Sequence, residues 1–290
     1  SEMIKKTIDR LGQEVCHGAI SSSMADVLEN ICREILLSDQ VQRLETLREQ
    51  TTVINAMLSQ RYFTDRTPQY VWIPLETLTA RLLIKDLQEK DGFLHQILFC
   101  GEIRTLLIRN LDGISGCWTG NTGGTHFFWG VDRRAILFPL WLHEGGDGFM
   151  LTGRNSLKED VTVPFTTQAL TEGLKNRTLL PGLFLCFLEI HFLRDFTVFG
   201  GYYQPTYLGN MRDGIVRTLR ERKIFEKEAN TIEAKVNYMT LGLIYLLRDH
   251  GNGVFPVSTA ELLEQPISTQ EIEERLRISV EESLLLSLWR

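Results

Sequence analysis

Apolar residues recur at helical spacing through the first sixty residues of the chain. This stretch contains no proline and only two glycines, as expected for helices rather than strands or loops. The serines at 21–23 stand where an N-cap is expected, and Val27 and Ile31 stand four apart behind them, as on one face of a helix. A second helical pattern follows directly at 40–60. We therefore predict a helical hairpin, or one long bent helix, in this part of the chain.

The pattern changes at residue 93. Short apolar runs now alternate with glycine and aspartate turns, and ten of the 23 glycines lie between positions 113 and 153. Short apolar runs bounded by turn residues are typical of strands. The runs that predict strands cover 95–101, 102–110, 126–132, 134–142, 148–153 and 160–165. We predict a largely antiparallel sheet of about four to six strands within 93–165.

Helical patterns return at residue 166 and continue to the end of the chain. The predicted helices cover 166–176, 179–195, 210–229, 232–250 and a C-terminal pair within 268–289. The predicted fold class is therefore α+β, with helices at both ends flanking a central, mostly antiparallel sheet. We expect residues 1–290 to form a single compact domain, mainly helical over 1–92, β-rich over 93–165 and helical over 166–290.

Composition and charge exclude several classes of protein. The formal net charge is −6 at pH 7, which is not expected of a dedicated nucleic-acid binder. The longest apolar run, 179–193, contains a proline, a glutamate and a histidine, so we predict no membrane span. The five cysteines form no Cys-x-x-Cys pair, which indicates reduced thiols in a cytoplasmic protein. The predicted partner is a small-molecule ligand, and the sequence identifies no cofactor.

The first candidate site is the segment 189–208. On a continuous helix, His191 and Asp195 would lie on the same face, where a carboxylate can fix the imidazole tautomer and raise its basicity. We predict these two as the catalytic pair. An aromatic Gly-Gly loop follows, with a mixture of apolar rings and polar tips that suits a small-molecule pocket. The predicted substrate-binding residues there are Tyr202, Tyr203, Gln204 and Tyr207. The alternative is that the charged residues mark the wet end of a core helix.

The second candidate is the glycine-rich segment 113–130. Residues 115–118, Ser-Gly-Cys-Trp, resemble the Gly-x-Cys-Trp segment of papain-like and transglutaminase-like enzymes, which implies Cys117 as a nucleophile at a helix N-terminus. The glycines that follow do not favour a helix there. A phosphate-cradling loop would need a lysine and a helix after the glycines. The remaining interpretations are a hairpin loop and a mobile loop over a ligand, to which Thr119 and Asn121 would donate hydrogen bonds.

The third candidate is the turn at 142–154, where His143, Glu144 and Asp147 cluster. These side chains can bind transition metals. The chain has neither an HxxxH nor an HExxH spacing, so we interpret the cluster as a polar turn and predict no metal site.

Together these patterns predict a soluble enzyme that acts on a small polar metabolite, as a transferase or a hydrolase. Its pocket would lie between the loops at 196–208 and 113–130, with Arg134 or Arg194 holding a carboxylate or phosphate. The alternative is a non-catalytic assembly protein that uses its terminal helices as interfaces. Self-association would then involve the apolar residues at the C-terminus, Leu284, Leu285, Leu288 and Trp289. Loss of function should map to 191–207 for an enzyme, and to removal of residues from 268 onward for an assembly protein.

Overall fold

The computed structural model combines helices with small antiparallel sheets, which confirms the α+β class in this coarse form. Its contacts divide the chain into two compact units, one of Ser1–Pro74 with Gly242–Arg290 and one of Leu75–Leu241. The expectations of a single domain, and of one central sheet between terminal helices, stay predictions. The residues that the structure describes are 2–62, 73–120, 122–146, 148–198 and 203–235, with short pieces at 247–249, 254–256, 268, 270, 273–274 and 277.

The first unit begins with helices, as its apolar pattern predicts. Its helices are α1 (Glu2–Cys16), α2 (Ser22–Ile31) with a π-helical turn (Cys32–Leu36), α3 (Asp39–Gln42) and α4 (Leu47–Tyr62). Ser21 is the N-cap of α2, where its Oγ accepts the N–H of Met24 at 3.0 Å. The same unit holds an antiparallel pair of strands, Leu247–Asp249 and Val254–Pro256. The helix predicted over 232–250 is therefore wrong at its end, and most of the predicted C-terminal helix pair lies outside the described residues.

The second unit holds the remaining elements and the largest hydrophobic core. Its helices are α5 (Leu75–Asp86), α6 (Phe93–Phe99), α7 (Gly101–Leu111), α8 (Thr167–Lys175), α9 (Leu183–Phe187), α10 (Gln204–Arg222) and α11 (Glu226–Glu233). Its strands are β1 (Trp118–Thr119), β2 (Gly123–Gly124), β3 (Phe128–Val131), β4 (Leu137–Pro139), β5 (Trp141–Gly145), β6 (Gly148–Arg154), β7 (Asp160–Pro164) and β8 (Leu179–Pro181). The strands form a β1–β2 hairpin and two three-stranded antiparallel sheets, ordered β4-β3-β8 and β5-β6-β7.

The strands predicted before residue 112 are wrong, because that stretch forms α6 and α7. The buried residues of α7 include Ile103, Leu107 and Leu111, which recur at the four-residue spacing of a helix face. Short apolar runs fit a buried helix and a buried strand equally well by pattern alone. The strands predicted over 126–132, 148–153 and 160–165 are confirmed as β3, β6 and β7. The run 134–142 forms β4 and the beginning of β5, which belong to different sheets.

The apolar segment 179–195 also differs from the predicted single helix. Its first three residues form β8, which pairs with β3, and the helix begins only after Pro181 and Gly182. A π-helical turn, Leu188–Phe192, follows α9 and ends the helical segment. The helix predicted over 210–229 is similarly interrupted, because Lys223 adopts the left-handed conformation (φ 54°) and ends α10.

The core of the second unit gathers buried side chains from α5 to α11 and from the strands. Its largest fully buried side chains include Trp118, Phe127 and Phe184. Helix α10 packs closely on α7 at Gly214, where an added Cβ would lie 2.7 Å from a methyl of Leu111. No helix within the described parts of the chain is long and apolar enough to cross a bilayer.

Candidate functional site

A pocket of about 360 Å³ lies at the glycine-rich segment of the second unit. We call it the glycine-turn pocket. It is lined by residues 114–119, 123–125, 127, 129 and 182–184. One wall is thus the β1–β2 hairpin with its flanking turns, and the other is the start of α9. Of the residues predicted from sequence to bind a ligand, Thr119 lies in this lining.

The hairpin is shaped by glycines in backbone conformations that other residues rarely adopt. Gly116 and Gly124 have φ values of +83° and +80°, in the left-handed region that favours glycine. The carboxylate of Asp112 accepts the N–H of Gly120 at 2.7 Å, which ties the tip of the hairpin to the end of α7. The turn is therefore held by its glycine conformations and by the Asp112 side chain, and it is not an unstructured connection.

Aromatic rings form the floor of the glycine-turn pocket and polar groups form its rim. Trp118 meets Phe127 and Phe184 edge to face, with ring centroids 5.3 and 5.7 Å apart, and its indole N–H donates to Ile108 O at 3.0 Å. The hydroxyl-bearing Ser115 and Thr119 are exposed at the rim. None of the lining residues carries a charged side chain. The surface is thus suited to a ligand with an apolar body and uncharged polar groups.

Cys117 lies in the lining, but its surroundings do not suit a nucleophile. The residue is buried, and burial raises the pKa of its thiol far above the ordinary range. A strand follows it instead of the helix that the papain-like resemblance implies. The turn also lacks the following helix that a phosphate-cradling loop requires, since β2 and β3 come next.

Behind the pocket, His126 has a buried imidazole held in one tautomer. Its Nδ1 accepts the N–H of Leu142 at 3.0 Å, so the proton of the neutral ring is on Nε2. Burial, and then the neighbouring His143, lower the pKa of His126 from 6.5 to about 4, although Asp112 acts in the opposite direction. His126 is therefore neutral near pH 7.

This buried histidine predicts an acid-dependent loss of stability. Between pH 6.5 and about 4 the unfolded chain binds a proton at His126 that the folded chain does not. The free energy of unfolding should therefore fall as the pH falls through this window, by up to about 1.4 kcal/mol per pH unit. Urea titrations from pH 4.5 to 7 would measure the slope.

The control for this prediction is a pair of histidine variants. His126→Asn keeps an acceptor for the Leu142 N–H but cannot gain the proton, so its slope should be shallower than that of the wild type. The same change at the exposed His17 should leave the slope unchanged. Equal slopes for wild type and His126→Asn would contradict the prediction.

The predicted His191–Asp195 pair does not have the helical geometry on which it was based. His191 is buried on the π-helical turn, and its Nδ1 lies 2.8 Å from the carbonyl oxygen of Phe196. Asp195 lies beyond the helical segment with φ +60°, and its exposed carboxylate forms an ion pair with Lys235. The premise of a shared helix face is wrong, while the catalytic role of the two residues stays a prediction.

A partly buried charge cluster occupies this region, which we call the Arg194 cluster: Asp86, Glu189 and Arg194. Arg194 Nη2 lies 2.5 Å from a carboxylate oxygen of Asp86, and its Nη1 forms an ion pair with Glu189. Glu189 is fully buried, and its Oε1 has no hydrogen-bond partner among the described residues. Burial raises its pKa to about 8, with Asp86 adding to this and Arg194 opposing it. Arg194 is therefore engaged within the protein.

Neither Glu189 nor Asp86 is among the site residues predicted from sequence. The sequence does contain a signal for Glu189, which is the lone carboxylate within the apolar run 179–193. A buried carboxylate is costly and needs a partner. Asp86 has no comparable signal, since it lies more than one hundred positions away at the end of an ordinary helix.

Three further residues were predicted from sequence to bind a ligand, namely Tyr202, Asn121 and Arg134. Tyr202 and Asn121 lie outside the described residues. Arg134 lies on an exposed turn, where its backbone N–H donates to Asp132 at 2.9 Å. The roles of these residues stay predictions.

The residues at the start of α10 have structural contacts. Gln204 is buried, and its amide donates to the carbonyl oxygen of Val198 at 2.9 Å. Tyr207 is half-buried against Phe187, and burial raises the pKa of its hydroxyl. Tyr203 is 75% exposed. Gln204 and Tyr207 thus pack into the second unit, while Tyr203 faces outward.

The turn considered for a metal offers no assembled ligand set. His143 and Glu144 are exposed on β5, and Asp147 lies outside the described residues. Within the portion of the chain that the structure describes, no group of three or more His, Cys, Asp or Glu side chains is placed to hold a metal ion.

Two features of the second unit therefore bear on function. The glycine-turn pocket is a cavity of about 360 Å³ whose lining carries no charged side chain, and burial raises the pKa of Glu189 in the Arg194 cluster to about 8. Comparison of the chain with protein-family models, curated proteins and solved structures finds no match.

Proposed function

We propose that the protein binds a small, uncharged molecule in the glycine-turn pocket. The observation that carries this proposal is the lining itself: an aromatic floor, an exposed rim of hydroxyls and no charged side chain. The volume of about 360 Å³ falls in the range of small-molecule sites, about 300 to 1,000 Å³.

The chemistry of the lining favours a ligand with an apolar body and few polar groups. Ile114, Trp129 and Leu183 supply apolar surface, and Ser115 and Thr119 supply hydroxyls that can donate or accept. An ionised ligand would lose water there without meeting an opposite charge, which is costly. The ligand expected from sequence was a small polar metabolite, and the uncharged lining restricts this class to neutral molecules.

The hypothesis that the protein is a transferase or a hydrolase requires that the bound molecule also reacts. It is supported by Glu189, whose pKa of about 8 lies in the range in which acid–base catalysts act at physiological pH. Glu189 is not among the residues that line the glycine-turn pocket, so we assign it no step. Asp195 and His191 stay the proposed catalytic residues, to be tested by alanine substitution against turnover of any ligand that is found.

The assembly hypothesis is supported by helix α1. Its apolar residues Ile4, Ile8, Leu11 and Val15 are spaced along one face, yet none of them is fully buried, and Met3 is 79% exposed. An apolar helix face that is only half-covered suits a partner helix. The C-terminal residues proposed for self-association lie outside the described residues.

The proposed binding site predicts that filling the pocket abolishes binding. Leu183 is 40% exposed at the pocket wall, so Leu183→Trp should fill the space with little cost to the fold. A library of neutral small molecules would be screened against the wild type by ligand-observed NMR. We expect binders whose affinity falls at least tenfold in Leu183→Trp, because the added ring occupies their volume.

The matched control is Ile136→Trp, which adds the same ring at a residue that is 44% exposed and does not line the pocket. It should bind the same molecules with unchanged affinity. The proposal fails if the binders retain their affinity in Leu183→Trp, or if no neutral molecule of the library binds to the wild type.

A further inference from the structure

Helix α7 contains a buried guanidinium that is incompletely satisfied. Arg104 is only 2% exposed. Its Nη1 donates to the carbonyl oxygen of Leu98 at 2.7 Å, and its central carbon lies 3.8 Å from the ring centroid of Phe149. Its Nη2 is buried and has no hydrogen-bond partner among the described residues. A buried donor without an acceptor is costly, and more so when it is charged.

The charge of Arg104 also lacks a direct partner. None of the described carboxylates forms an ion pair with it; Glu102, two residues earlier on α7, pairs with Arg222 instead. Glu144, which is exposed on β5, acts on Arg104 only as a neighbouring charge. Burial lowers the pKa of Arg104. This position therefore carries a positive charge that the described carboxylates do not neutralise.

The unpartnered nitrogen lies beside the N-terminus of α7, which adds to the positive potential. This helix has 11 residues, and its N-cap residue, Cys100, makes no side-chain hydrogen bond to the first turn. The first N–H groups of a helix have no acceptor within it and carry partial positive charge. A Cβ built on Gly101, the first residue of α7, would lie 3.8 Å from Arg104 Nη2. The guanidinium thus lies beside the first turn of α7.

We propose that Arg104 and the N-terminus of α7 form a binding site for a small oxyanion, such as inorganic phosphate, sulfate or the carboxylate of a small metabolite. An oxyanion would supply both the missing negative charge and acceptors for Nη2 and the helix N–H groups. The ligand must be small, because Arg104 is buried and Cys100 and Gly101 are only partly exposed. This site is separate from the glycine-turn pocket and does not depend on the function proposed for it.

The amide of Gly101 provides a direct readout. The full chain would be labelled with ¹⁵N-glycine and titrated with phosphate, sulfate or acetate against chloride at equal ionic strength. The Gly101 signal is identified by its absence from the spectrum of Gly101→Ala. We expect a saturable shift of this signal with at least one oxyanion and none with chloride. A Gly101 signal that moves no more than that of Gly12 on α1, or that moves without saturating, would overturn the proposal.

A variant that blocks the space without removing charge gives a second test. In Gly101→Ala the added methyl would lie at an ordinary contact distance from Nη2, so the fold should be kept while the methyl obstructs the approach of an oxyanion to Nη2. Calorimetric titration with the anion that shifts Gly101 should give at least tenfold weaker binding. Gly12→Ala, where an added Cβ meets nothing within 4 Å, should bind like the wild type. Equal affinity in Gly101→Ala and wild type would contradict the site.

Discussion

Replacing Arg194 by methionine should lower the free energy of unfolding at pH 7 by about 1 to 3 kcal/mol, because it leaves buried carboxyl oxygens without a donor. Arg194 bridges Asp86 and the fully buried Glu189, so its loss leaves two carboxyl groups without their common donor. Urea denaturation at pH 7 would measure the effect. The control is Arg133→Met in the same unit, because the ion pair of Arg133 with Glu159 is largely exposed and should contribute less than about 1 kcal/mol.

The pH dependence of this effect has a definite sign. Burial raises the pKa of Glu189 from 4.5 to about 8, so between these values the folded chain binds a proton that the unfolded chain has released. The free energy of unfolding in the wild type should therefore fall as the pH rises through this window. Removing Arg194, which opposes the rise, moves the folded pKa higher still. The deficit of Arg194→Met should thus grow above pH 8.

Glu189→Gln separates the charge of this side chain from its shape. A glutamine resembles the protonated carboxyl, so this variant should be about as stable as the wild type at pH 7 and should lack its decline toward pH 8. An equally steep decline in Glu189→Gln, or a deficit in Arg194→Met no larger than in Arg133→Met, would contradict the account of the Arg194 cluster.

Local sequence signals predicted the elements whose causes are local. Ser21 caps α2 and Thr166 caps α8, each through its side-chain oxygen, and both stand at predicted helix starts. The strands β3 to β7 follow apolar runs separated by glycine and aspartate turns. In these elements, the residues that determine the structure are neighbours in sequence.

The failures arise where distant contacts decide the structure. Residues 93–111 are apolar enough for either a strand or a helix, and burial of their helical faces in the core of the second unit decides between the two. Leu179–Pro181 forms a strand because β3 offers it a partner. Neither the core that covers residues 93–111 nor the strand that pairs with residues 179–181 can be recognised from these short segments themselves.

Only part of the candidate site was predicted from sequence, because its two walls come from segments that are distant along the chain. The glycine-rich segment and Thr119 were selected from sequence, and they do line a pocket. Its second wall, 182–184, lies more than fifty residues away and had been predicted as the interior of a helix. The pairing of His191 with Asp195 depended on four residues of regular α-helix, whereas a π-helical turn and a left-handed residue occupy that stretch.

Replacing Gly124 by alanine should destabilise the second unit by about 4 kcal/mol and abolish binding in the glycine-turn pocket. Gly124 has φ +80°, which costs a residue with a Cβ about 1 to 2 kcal/mol. The added Cβ would also overlap the carbonyl oxygen of Cys117 and lie 3.1 Å from Trp118 Cα. Because both neighbours are backbone atoms, relief requires the β1–β2 hairpin to open, and overpacking of this kind adds about 1 to 3 kcal/mol.

Gly113→Ala separates the conformational cost of a Cβ at positive φ from the cost of overpacking. Gly113 also has φ +80°, but an added Cβ there would meet nothing within 4 Å, so this variant should lose only the conformational part, about 1 to 2 kcal/mol. Urea titrations of both variants, with binding of a pocket ligand measured in parallel, would make the comparison. If Gly124→Ala costs no more than Gly113→Ala, or binds the ligand like the wild type, the close backbone packing of the hairpin does not hold the pocket in shape.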